Sequence, residues 1–104
     1  MAVDITLQYF DGCPNWEVAD RDLKEAIRLL DLDTEISYQR IESQDEAEKL
    51  QFRGSPTILV SGHDPFADPD APVGLSCRVY RTGRRSSGSP GIDALQRILR
   101  NVAS

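Results

Sequence analysis

Two cysteines, one histidine and a cluster of arginines are the side chains of this chain that could carry chemistry. Cys13 stands in Asp11-Gly12-Cys13-Pro14-Asn15-Trp16, where a short apolar run gives way to a helical pattern. A thiol reacts as its thiolate, and the unpaired N–H groups and dipole of a helix N-terminus favour that charge. Cys13 is therefore expected to be more acidic than a free cysteine, with the N–H groups of Asn15 and Trp16 turned towards its sulfur, since Pro14 has none to offer. Asp11 and Glu17 oppose this by adding negative charge nearby. A thiolate so placed can attack a disulfide or a peroxide, or form a mixed disulfide with glutathione or a protein. A cysteine at position 16 would supply a local partner; Trp16 stands there, so no disulfide can close within the turn.

Cys77 is the other thiol, and disulfide formation would require the two Cα atoms to lie within about 7 Å. His63-Asp64 could offer a base or a metal ligand, although a lone loop histidine is most often a surface residue. Arg78, Arg81, Arg84 and Arg85 concentrate positive charge. Arg81, Arg84 or Arg85 could grip a carboxylate of glutathione or of an acidic partner, against the plainer reading of a solvated loop in an acidic protein. Two cysteines cannot enclose zinc. With no Ser-His-Asp motif, phosphate loop, Cys-x-x-Cys or His-x-x-x-His spacing, the hydrolase, nucleotide and zinc readings lack support.

The elements that must position these groups follow from periodicity. Val3, Ile5, Leu7 and Tyr9 alternate with polar residues, which predicts a strand over 3–10. Trp16, Ala19, Leu23, Ala26, Ile27 and Leu30 recur at helical spacing, with Pro14 suited to the first turn, so a helix is predicted from about 14 to 30. Residues 34–41, TEISYQRI, read as a second strand. Ser43 and Glu46 form a capping-box pattern for a short helix ending near Phe52. PTILV, 56–60, reads as a buried strand and CRVYR, 77–81, as its antiparallel partner. The intervening 61–76 segment is irregular and rich in Pro, Asp and Gly, as functional or mobile connections are. Ser89 as N-cap and Pro90 at the first helical position open a last helix with Ile92, Leu95, Ile98, Leu99 and Val102 as its apolar stripe.

The expected fold is thus a single α/β (α+β) domain, β-α-β-α-β-β-α, with a four-stranded mixed sheet and the first and last helices on one face. At 104 residues and a net charge of −5, it needs no staple, and binding to nucleic acid over its whole surface is disfavoured. The N-terminus lacks a secretory pattern and no apolar run nears a membrane span, so a cytoplasmic protein is expected, with no membrane partner. In that reducing compartment a structural disulfide is disfavoured.

The element order, the cysteine-proline pair at the first strand-to-helix junction, and Gly54-Ser55-Pro56-Thr57 before the third strand together resemble the thioredoxin-like superfamily over nearly the whole chain. More narrowly, YFDGCPNW, FRGSPTILV and GLSCRVYRT resemble a group of small bacterial thioredoxin-like proteins, some grouped near alkylmercury lyases. The resemblance implies a cis bond before Pro56, facing Cys13 and shaping a partner groove. The departure is at Trp16, in the place of the resolving cysteine. Trp16 reads both as a wall guarding Cys13 and as a residue of the core edge.

An antiparallel 56–60/77–81 hairpin would carry Cys77 to the end of the sheet away from Cys13. Free cysteine is among the most buried residue types, so Cys77 is expected to be a small core residue, with resolution from outside as the default and Cys77 the only internal resolving candidate. The reading is a monothiol exchange protein acting through Cys13 on a protein disulfide or on glutathione as co-substrate. Its alternatives are a thioredoxin-fold adaptor without turnover and soft-metal capture, such as mercury, by the thiol. The oligomeric state is not encoded in any feature of the chain.

Overall fold

The computed structural model describes residues 4–66, 71–82 and 85–103. Alternation along β1 (Ile5–Tyr9) buries Ile5 and Leu7 on one face of the sheet and turns Thr6 and Gln8 to the other. β2 (Ile36–Arg40) runs parallel to β1, and β3 (Thr57–Val60) runs antiparallel to it, giving a three-stranded mixed sheet in the order β2-β1-β3. Ile5 faces Val60 and Leu7 faces Ile58 across the β1–β3 pair, which continues the apolar stripe onto the neighbouring strand.

Two helices cover that stripe. α1 (Asn15–Leu29) contributes Ala19, Leu23 and Ala26, and α3 (Ile92–Ala103) contributes Leu95 and Leu99, all joined to Ile5, Leu7, Ile58 and Val60 in one core. The opposite face carries a smaller core of Ile41, Phe52 and Ala47, the last from α2 (Gln44–Leu50). There the Ser43 hydroxyl accepts from the Glu46 N–H at 3.1 Å, while the Glu46 carboxylate reaches back to the Glu42 N–H at 3.0 Å. That is a capping box displaced by one residue at its return bond. Among the described residues, no helix is long and apolar enough to cross a membrane.

Two expectations are corrected. The sheet has three strands, because 77–81 does not pair with β3. The outer end of β3 is closed by its own turn, where Val60 and His63 exchange backbone hydrogen bonds of 2.7 and 3.1 Å. The returning chain instead lies parallel to Ser55, donating from Arg78 N–H to Ser55 C=O at 2.9 Å and accepting from Ser55 N–H on Ser76 C=O at 2.8 Å. It then forms a separate antiparallel ribbon of β4 (Tyr80–Thr82) and β5 (Arg85–Ser87). The last helix starts at Ile92, two residues later than Pro90 implies. Gly91, at φ +87°, occupies the cap, and its carbonyl accepts from Leu95 N–H at 3.1 Å. The left-handed conformation there suits glycine, and it ends the run that Ser89-Pro90 would otherwise have capped.

Candidate functional site

The polar turn that follows β1 folds back on itself, with Cys13 N–H donating to Phe10 C=O at 3.2 Å, so the thiol enters the protein beneath the first turn of α1. Cys13 is fully buried. Its thiol donates to the Ser55 carbonyl at 3.3 Å, and the Ser55 hydroxyl accepts from Phe10 N–H at 3.4 Å. Ser55-Pro56 is a cis peptide, and Pro56 is itself fully buried. The start of β3 and the β1–α1 turn are therefore stitched together around the sulfur.

Cys77 is in contact with Cys13, contrary to the hairpin expectation. It is exposed rather than a core residue, and its thiol donates to Cys13 Sγ at 3.3 Å. The reason is the parallel alignment of Ser76–Arg78 with Ser55, which carries position 77 to the Cys13 end of β3 and not to the far end. The Cys77 thiol is pushed above its ordinary pKa, first by its hydrogen bond to Cys13 and then by burial.

Arg78 holds this segment down. Its side chain is buried, pairs with Asp64 through contacts of 2.6 and 3.4 Å, donates to Thr57 Oγ1 at 3.3 Å and to the Phe66 carbonyl, and lies 4.6 Å from the centre of the Tyr80 ring. The Tyr80 hydroxyl in turn donates to the Pro56 carbonyl, and burial pushes its pKa well above the ordinary tyrosine value. Gly54 makes the close approach possible: at φ +117° it lies so near that a Cβ would stand 3.1–3.2 Å from the Arg78 Cβ and backbone. The strap 74–79 thus bonds to the 54–57 turn through backbone and side chains alike.

The pairing of Asp64 with Arg78 is not foreseen from the sequence, where His63-Asp64 reads as a base or metal-ligand candidate and Arg78 as one of a positive cluster; an ion pair joins the two. The signal that could have found them is an isolated acid in the long loop facing an arginine next to a cysteine, but no spacing rule links residues 14 apart across an irregular segment. His63 is exposed and its backbone forms the β3 turn. Arg84 lies outside the described residues, as do the side chains of Arg81 and Arg85. Trp16 is half-buried, stacks on Tyr9 with ring centroids 4.2 Å apart, and packs against the main core; this is its place at the core edge. Asp11, counted against the thiolate, pairs with Arg40 at 3.0 Å.

A cleft of about 440 Å³ opens beside Cys77, lined in part by Arg53, Phe66, Pro72, Val79 and Tyr80. Among the described residues no three histidine, cysteine or acidic side chains come together as a metal site. The arrangement is two sulfurs in contact, one enclosed and one at the rim of a cleft, which is the geometry of a pair able to exchange electrons by making and breaking one bond. No family model, curated protein or solved structure matches this chain.

Proposed function

We propose that the protein is a thioredoxin-like thiol-disulfide exchange protein that cycles between a Cys13/Cys77 dithiol and a Cys13–Cys77 disulfide. The observation that carries the reading is the 3.3 Å contact between the two sulfurs. Backbone bonds on both sides of Cys77 fix the approach. The resemblance of the Cys-Pro turn and the Gly-Ser-Pro-Thr segment to thioredoxin-like proteins supports the same chemistry. The strap takes over the role that Trp16 vacates at the turn, so the scheme becomes a two-thiol one and no outside resolving thiol is required.

Substrates of this reading are protein or small-molecule disulfides and their dithiols, with glutathione as the simplest. The test is to oxidise the protein with glutathione disulfide and analyse it without reduction by mass spectrometry. An intramolecular product lighter by two hydrogens, converted back by dithiothreitol, is expected. Only glutathione adducts or intermolecular dimers would sink the reading.

A second reading is favoured by the same contact: two adjacent thiols form a two-coordinate site for a soft cation, the mercury-type capture expected for a thiol site. Protection of both cysteines from alkylation by mercuric ion, in a chain that forms no intramolecular disulfide with glutathione disulfide, would favour it over turnover.

A further inference from the structure

We infer that Cys77 is the sulfur that meets the outside partner and Cys13 the one that resolves, the reverse of the order that a cysteine at a helix N-terminus suggests; this rests on the exchange reading above. Cys13 has no exposed surface, and its sulfur lies between the Ser55 carbonyl and the Cys77 thiol. Ser76–Arg78 occupies both backbone groups of Ser55, so no partner strand can reach Cys13 at that residue while the strap is seated. Cys77 is exposed and borders the 440 Å³ cleft. A nucleophile attacking a disulfide must approach one sulfur from the side opposite the leaving sulfur. With Cys13 enclosed beneath Cys77, the open line of approach ends on Cys77.

The steps balance as follows. An outside thiolate attacks Cys77 Sγ of the oxidised protein; a sulfur–sulfur bond forms to Cys77, the Cys13–Cys77 bond breaks, and the electron pair leaves on Cys13 sulfur. That sulfur takes a proton from water and returns to its hydrogen bond with the Ser55 carbonyl. A second thiol of the partner attacks the partner's own sulfur in the mixed disulfide, and Cys77 departs as a thiolate that is then protonated. Two partner thiols become one disulfide, and the protein disulfide becomes two thiols. The reverse direction, with a partner disulfide as oxidant, begins with Cys77 attack and ends with Cys13 attack on Cys77 Sγ.

Asp64 and Arg78 act here as positioning residues, since they touch neither sulfur but anchor the residue that follows Cys77.

The experiment uses the wild-type chain. The oxidised protein is mixed with reduced glutathione, quenched within the turnover with iodoacetamide in guanidinium chloride so that enclosed thiols are also labelled, and mapped by peptide mass spectrometry. Glutathione on Cys77 with carbamidomethyl on Cys13 is expected; glutathione on Cys13 with carbamidomethyl on Cys77 would overturn the assignment. In parallel, Cys13→Ser and Cys77→Ser, each checked for native circular dichroism, are reacted with glutathione disulfide. Cys13→Ser should form its adduct on the order of tenfold faster than Cys77→Ser or more, as the exposed thiol is the accessible one; equal or reversed rates would also overturn it. If no intramolecular disulfide forms in the first place, it is the exchange reading that fails and not the order of the sulfurs.

Discussion

Tyr80 shows how one side chain ties the site to solution conditions. Its hydroxyl is buried and hydrogen-bonded to Pro56 C=O, so its pKa is raised in the folded protein. The stability this contributes is fully present below roughly pH 10, the unfolded tyrosine value, and is lost as pH rises beyond it, because the unfolded chain releases a proton that the folded one retains. Tyr80→Phe should therefore flatten the alkaline loss of stability by up to about 1.4 kcal/mol per pH unit, read from urea melts at several alkaline pH values. A variant with the same slope as wild type would place the loss on Tyr38, Lys24 or Cys77, whose pKa values are raised too. At this scale the sequence was partly legible. Cys13, Pro56 and the Ser43 cap stand in local patterns that declare them. Cys77, Asp64 and Arg78 do not, because what unites them is a path through an irregular loop, and periodicity is silent there.

Among the elements, the strap and its anchor decide the site. Asp64→Asn keeps a hydrogen-bonding partner for Arg78 and removes the charge, and should cost about 1.5–3 kcal/mol, the range for hydrogen bonds to charged groups. Iodoacetamide labelling of Cys13 in the native protein should accelerate alongside, as the strap lifts more often; unchanged protection of Cys13 in a measurably destabilised variant would separate the ion pair from the strap. The helices and β1 to β3 were legible to within two or three residues because each repeats a burial pattern over its own length. β4 was not. CRVYR alternates well enough to read as a strand, yet the pairing partner of a strand is set by non-local contacts that alternation leaves open, and the Val60–His63 turn takes up the backbone groups of Val60 at the end of β3 where the hairpin would begin.

For the whole molecule, the Cys13–Cys77 bond would join residues 64 apart. Closing a loop of that size stabilises a chain by about 2–4 kcal/mol when native geometry accommodates it. The oxidised protein should unfold at higher guanidinium chloride concentration than the reduced one, and the difference should vanish in Cys77→Ser. A bond that lowers stability would mean that the strap must distort to form it. The packing explains why the effect is global: the 3.3 Å contact spans the β1–α1 turn, which feeds the larger core, and the strap, which follows directly on Val73, packed against the smaller one.

The enclosure of Cys13 has a protective side. On the exchange reading, a peroxide would meet the exposed Cys77 first and convert it to a sulfenic acid, a species that a second oxidant drives irreversibly to sulfinic acid. Cys13 sulfur, buried and 3.3 Å away, would then condense with that sulfenic acid, releasing water and leaving a reducible bond. Enclosure of one thiol would in that way guard the other against permanent damage.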